Sequence, residues 1–370
     1  MSSAGLPEVT TAPADLPLDG ALRGAVRGRV LRPASVVLGA VLVACVALRA
    51  AEVQIPPAVQ LVPFALSLVV FGLPHGALDH LVPVRMRATA RAPLSVFVVV
   101  VAYLVLGSAT AVLWWAAPLV GFAGFIALTW FHWGQGDLWV RQSVETRPAS
   151  VPLAVGTVVV RGGIPMLVPF VTQPAVYRQV LLDTAGVVRH VPPGDVAAVF
   201  QPTVRVAVGV AFAATVLLTV LVEACSARAH PAQRRAFGRD LGATLFLVAF
   251  FAVVPAVLAV GLYFCLWHAL RHIVRLELLD PASASDLRAG RPVRPFLRFA
   301  RDAWPVTAIA TAMLVALALL RRGEGSPLGV YLALIAALTV PHVAVVAWMD
   351  RRQGVWGVRR HGREARRVEG

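Results

Sequence analysis

The sequence predicts an all-α fold, a polytopic transmembrane helical bundle of about eight to ten spans. Two observations carry this. The 370 residues are 58% hydrophobic and only 14% charged, against about 45–50% and about 25% in soluble domains, and the mean hydropathy is +0.75. The apolar residues also gather into repeated runs long enough to cross the roughly 30 Å hydrocarbon layer as helices. So much apolar surface excludes disorder over most of the length.

Taken in order, residues 1–33 are rich in Ala, Pro, Gly and Asp, and the first Arg is Arg23. A secretory signal would place charge before a short apolar region, so this stretch is expected to be a disordered cytoplasmic tail. Candidate spans follow at 34–50, 55–74, 94–115, 117–133, 151–171, 206–222, 241–270, 303–320 and 328–348. As one helix, 241–270 would be about 45 Å long at about 1.5 Å per residue, and Pro255 stands in its middle. Arginine placement arbitrates, because cytoplasmic loops are enriched in basic residues. With 241–270 as a hairpin of two short spans, 27 Arg fall on the side of the two tails and six on the other. A single crossing would move the seven Arg of the 271–301 loop outside. Ten crossings are therefore expected, with both termini cytoplasmic in a cell membrane. An integral membrane domain at 34–350 then ends in a basic cytoplasmic tail, 351–370, carrying seven Arg.

The net charge of +15 belongs to loops facing anionic lipid. No basic soluble domain and no aromatic-basic stretch outside the spans points to nucleic acid. All 34 basic residues are Arg, so lysine Schiff-base chemistry, including that of a retinal-linked pump, is excluded. Cys45, Cys225 and Cys265 are too few and too scattered for a disulfide framework or a thiolate metal site.

Polar groups inside spans cost about 2.5–3.5 kcal/mol on insertion scales and ask for a reason. Of nine His, His190, His230 and His361 fall in loops or tails. The other six, His75, His80, His132, His268, His272 and His342, come from four segments and lie at one depth, near the cytoplasmic ends. Such a set points to a shared metal or cofactor site. His268 and His272 are spaced i, i+4, about 40° apart on one helix face, as a pair offered to one ion. His75 and His80 are about 140° apart on a regular helix, so one of them stands outside direct coordination. Asp79 and Asp137 are the nearby carboxylates, either ligands themselves or acceptors for the free N–H of a ligating His.

Imidazole suits iron, copper, nickel and zinc. Without thiolates structural zinc is disfavoured, and iron leads, since four His in an octahedral shell would leave two positions for O2 beside a substrate alkene. Trp130, Phe131, Trp133 and Trp139 surround His132, and Tyr263, Phe264 and Trp267 precede His268; they form either an interfacial belt or the wall of a bulky apolar site. Trp114 and Trp115 at the opposite interface read as a belt. Gly72, Gly134, Gly136, Gly162 and Gly163 permit close backbone approach. Arg161, beside a Gly pair and before Pro165, suggests a broken helix lining a cavity.

Four motifs in this order, F-G-L-P-H-G-A-L-D-H at 71–80, F-H-W-G-Q-G-D at 131–137, Y-F-C-L-W-H-A-L-R-H at 263–272 and L-T-V-P-H at 338–342, resemble the Brp/Blh family of membrane β-carotene 15,15′-dioxygenases. The similarity runs from about residue 55 to 348. The resemblance implies Fe(2+)-dependent cleavage of the central double bond of β-carotene by O2, giving two all-trans retinal. It implies His75, His132, His268 and His272 as ligands, His342 as a supporting or structural residue, and orienting roles for Asp79 and Asp137. The implied partners are β-carotene, O2 and the bilayer, with a retinal-binding rhodopsin as a candidate consumer of the product. A dioxygenase for another carotenoid is the near alternative. A metal or proton transporter would need a polar path to both faces. A bis-His haem protein would want His pairs near mid-span, and a di-iron desaturase would want repeated His boxes.

Overall fold

The computed structural model describes residues 18–86, 92–147, 150–320 and 326–356, and every regular element in them is helical. The helices are α1 (Gly20–Ala50), α2 (Pro57–Leu66), α3 (Gly72–Ala77), α4 (Ala92–Ala116), α5 (Pro118–Trp139), α6 (Val151–Thr172), α7 (Pro174–Ala185), α8 (Pro202–Ala229) and α9 (Arg234–Val253). They continue with α10 (Ala256–Glu277), α11 (Pro281–Arg288), α12 (Val293–Leu320) and α13 (Pro327–Arg352). Eight of these, α1, α4, α6, α8, α9, α10, α12 and α13, are long and apolar enough to cross a membrane. The chain is a multi-pass membrane protein. Leu104, Leu218, Ile309 and Leu319 are among the large apolar side chains left on its outside, where lipid rather than water suits them.

Two expectations change at this level and one is met. The first concerns the amino-terminal stretch. Residues 20–33 are helical, part of the 31-residue α1. Asp19 caps this helix by accepting from the Leu22 N–H at 2.7 Å, and Arg288 of α11 meets the other Asp19 oxygen at 2.8 Å. Leu22, Val26 and Val30 recur every four residues and bury one face against Leu287 and Leu278. The amphipathic period was present in the sequence, but the tail-like composition masked it. Residues 1–17 lie outside the described residues. At the other end Arg351 and Arg352 still belong to α13, and Trp356 stacks on Phe131 at 5.9 Å. The remainder of that basic segment, 357–370, also lies outside the described residues.

The expectation that is met concerns 241–270, which is two helices divided at Pro255, as the two-span reading expects. The amide of Gln173, at the α6–α7 junction, spans this break. Its Nε2 donates to the carbonyls of Phe251 and Val254 at 3.2 and 2.9 Å, and its Oε1 accepts from the Ala256 N–H at 2.7 Å. Backbone groups freed at membrane depth need such partners. The second change concerns Arg161. The helix that carries it is unbroken from Val151 to Thr172 despite two internal prolines. Arg161 meets Asp240 of α9 at 2.5 Å, within a buried cluster that also holds Arg141, Arg147 and Glu223.

The core forms where α5 packs on α6, α6 on α8 and α9, and α13 on α4 and α7. Glycines let the first of these pairs close: a Cβ on Gly162 would stand 1.8 Å from the Trp130 carbonyl oxygen. The Trp130 indole reciprocates by donating to the Val159 carbonyl at 2.8 Å.

Candidate metal centre

Four helical segments deliver five imidazoles to one buried place. His75 comes from α3, His132 from α5, His268 and His272 from α10, and His342 from α13, and all five are buried. Two turns of π-helix stand at the site, Ser67–Phe71 just before α3 and Phe264–Ala269 within α10. Such widened turns are frequent at functional sites, and the second one carries His268 itself.

The ring centroids of His132 and His268 are 4.7 Å apart. His75 is 5.6 Å from His268 and 5.7 Å from His272. The four residues that the motifs single out as ligands therefore converge. His342 is nearer to several of them than a purely supporting residue would be, at 4.9 Å from His75, 4.7 Å from His132 and 5.0 Å from His272. Its Nε2 is 3.2 Å from the Nε2 of His132. Ligand-capable atoms of His75, His132 and His268 lie within 4.8 Å of one another, and so do those of Asp79, His272 and His342. His80, half-buried, lines the adjoining cavity but stands outside this cluster. Helix α3 ends at Ala77, and the tighter turn that follows carries His80 away.

The two carboxylates differ from each other in what they meet. Asp79 pairs with His342, Oδ2 to Nδ1 at 2.7 Å, and accepts from the Tyr103 hydroxyl. It therefore orients the fifth imidazole rather than one of the expected four. Among the described residues, Asp137 hydrogen-bonds to no imidazole. It accepts from the Trp267 indole at 3.0 Å and lies 3.4 Å from Arg271 and 3.9 Å from Arg161. Its negative charge balances buried guanidinium groups beside the centre. Tyr103 was missed at the sequence level. The signal was a phenol inside an otherwise apolar span, which asks for a buried partner.

The nitrogen atoms fit a metal. His75 Nδ1 bonds the Gly72 carbonyl, which leaves its Nε2 as the lone-pair donor. Among the described residues, His132 Nδ1, His268 Nε2 and His272 Nε2 are buried without a hydrogen-bond partner. Buried polar atoms are normally satisfied, so orphaned nitrogens in one imidazole cluster mark a place where a cation would be held. The donor set is all imidazole with one carboxylate behind it, and no thiol belongs to it.

Above the cluster lies a cavity of about 860 Å³ lined by α3–α7, α10, α12 and α13. Trp133 and Phe264 are part of its wall, so these two aromatics face the site. Trp139 instead is buried in the core, and Trp130 braces α6. Trp114 also lines the cavity and is only 2% exposed, whereas its neighbour Trp115 is 67% exposed. The interfacial-belt reading fails for Trp114, because α4 turns its indole inward and leaves Trp115 facing outward. Leu104, Ile309 and Met313 line the cavity and are also exposed on the outer surface. The cavity therefore opens sideways, toward lipid.

The model of one protein family, described as beta-carotene 15,15′-dioxygenase, matches residues 66–350. The chain belongs to the β-carotene 15,15′-dioxygenase family. It is 42% identical over 340 residues, 89% of this chain and 95% of the relative, to the Halobacterium salinarum protein named "Probable beta-carotene 15,15'-dioxygenase Blh". It is 29% identical over 341 residues, 82% of this chain and 87% of the relative, to the protein of the same organism named "Probable beta-carotene 15,15'-dioxygenase Brp". No solved structure matches the chain significantly. The matched region begins just before the π-turn that leads to His75 and ends just after His342, so the family's extent coincides with the imidazole cluster and its cavity.

Proposed function

We propose that this protein cleaves the central 15,15′ double bond of β-carotene with O2, in an Fe(2+)-dependent reaction, and releases two molecules of all-trans retinal. The observation that carries the reading is the junction of five buried imidazoles with a lipid-facing apolar cavity in a member of this dioxygenase family. His75, His132, His268 and His272 would hold the iron, with His342 completing the imidazole ring around it. A bound iron would supply the activation of O2, which the side chains alone cannot perform.

The chain's own residues do the rest. Apolar walls on α4, α12 and α13 take the hydrocarbon from the bilayer, where it is dissolved, through the side opening. Trp133 and Phe264 pack close to the imidazoles and keep water from the reacting carbons. Asp79 holds the proton of His342 on Nδ1, which leaves Nε2 to face the centre, and Tyr103 holds Asp79 in place. Asp137, by neutralising Arg271 and receiving the Trp267 N–H, fixes the α10 turn from which His268 and His272 project. The all-Arg asymmetry of the loops supports a cytoplasmic location for both tails and for the imidazole end of the bundle. Retinal would leave by the lipid opening, available to a retinal-binding rhodopsin.

The test is expression in a host that accumulates β-carotene and makes no retinal, with pigment chromatography and iron analysis of the purified protein. The wild type should bleach the carotene and yield retinal. His132→Ala and His272→Ala should abolish both retinal and iron. Retinal from these variants would refute the iron assignment. Intact β-carotene beside a folded, iron-loaded wild type would refute the substrate.

A further inference from the structure

A conjugated polyene offers many double bonds of nearly equal reactivity, so a cut at the centre has to be set by position. The cavity contains a device for that. One face of α5 lines it from the imidazoles outward, through His132, Thr129, Ile126 and Phe122. These are spaced three or four residues apart, and the ten residues from His132 to Phe122 rise about 15 Å. A second helix gives the same length. On α4, Tyr103 touches Asp79 at the centre, and Trp114 follows eleven residues later, about 16 Å along the axis. Both rulers end on one contact, since the Trp114 and Phe122 rings meet edge to face at 6.4 Å.

This end is firm. Trp114 is 2% exposed and also abuts Phe125 at 6.5 Å. A Cβ on Gly121 would lie 2.8 Å from its ring, so the α4–α5 turn presses directly on the indole. Leu181, Ala185 and Val191 belong to the same packed cluster. Close-packed interiors of this kind do not give way to a ligand without cost. From its central bond to the far edge of its ring, half of a C40 carotene spans about 15 Å, at roughly 1.2 Å of advance per conjugated carbon. Arm and half-molecule match.

We propose that Trp114, backed by Phe122, is the end stop of a blind arm that receives one ring of the carotene and so sets the central double bond at the imidazole cluster. The inference rests on the β-carotene reading above. The second half of the substrate lies toward the side opening at Leu104, Ile309 and Met313. Trp114 is thus a positioning residue for regiochemistry, acting by length alone.

The test uses the full-length protein in the β-carotene host, with every aldehyde product separated by chromatography. Trp114→Ala deepens the arm by several ångströms, about one or two double-bond repeats. Ile126→Phe shortens it. Both should lower retinal from nearly all of the product to less than half, replaced by one long and one short apocarotenal. Trp114→Phe, which keeps an aromatic wall, should return mainly retinal. Carotene retained by chelator-treated protein, read from its visible absorption, should stay within about threefold of wild type, since the arm still seats one ring. Retinal as the sole product of both Trp114→Ala and Ile126→Phe overturns the stop while leaving β-carotene cleavage intact. Loss of carotene binding with no change in products overturns it too. If Trp114→Ala does not fold, Ile126→Phe decides alone. No aldehyde from the wild type would instead sink the underlying reading.

Discussion

Replacing Gly162 by Ala would put a methyl group 1.8 Å from the Trp130 carbonyl oxygen. Side-chain carbons do not approach backbone closer than 3.0 Å, so α5 and α6 must separate there by about 1.2 Å, a displacement of the size that costs on the order of 10²-fold in rate when it reaches reacting groups. The strain cannot be relieved by a flexible side chain, because the obstacle is backbone. Sliding is also blocked. Trp130 is bonded to Val159 on the far helix, and Arg161 is pinned to Asp240. His132 stands two residues beyond Trp130 on α5, so it moves with the helix. We expect a stability loss of about 1–3 kcal/mol, the usual range for overpacking, together with a loss of retinal formation of about 10²-fold. The assay is thermal unfolding in detergent beside retinal produced per bound iron. Gly124→Ala on α5, the helix that carries His132, is the control, since a Cβ there meets nothing within 4 Å. It should match or slightly exceed the wild type in stability. Wild-type melting and full activity for Gly162→Ala would refute the claim that this contact sets the position of His132.

Three further outcomes follow from the same geometry. His342→Ala should lower both the iron content and the retinal yield at least tenfold, and Asp79→Asn should lower the yield while keeping most of the iron; full iron and activity in His342→Ala would return that residue to a structural role. Asp137→Asn leaves Arg271 buried beside Trp267 with its charge unbalanced, for a destabilisation of about 3–5 kcal/mol, and an unchanged denaturation midpoint would show that the carboxylate is dispensable. Gln173→Leu strips three hydrogen bonds from the break at Pro255, with an expected loss of about 1–3 kcal/mol for the orphaned groups; equal thermal stability would mean that other groups or water seal the break.

The sequence by itself determined that the chain is helical and membrane-embedded, because span length and apolar content are one-dimensional properties. It also singled out six histidines for a shared site. A polar residue in a span is costly wherever the span goes, so His75, His80, His132, His268, His272 and His342 stood out before any packing was known, and packing then left His80 outside the cluster. The first turns of α1, residues 20–33, were hidden by composition, although their four-residue period was legible at Leu22, Val26 and Val30. What only the tertiary structure decided is who faces whom. His342 and the four motif histidines are far apart in the chain, and their mutual distances depend on how α13 packs against α4 and α7. Asp137 and Asp79 look alike as carboxylates beside histidines, yet one meets Arg271 and Trp267 and the other meets His342. Trp114 and Trp115 are adjacent and identical in type, and the roughly 100° turn per residue of an α-helix sends one into the cavity and the other toward lipid. The reason is general to helices in a bilayer. Hydropathy selects what enters the membrane, whereas inward or outward placement depends on helix rotation and neighbours, which packing alone supplies.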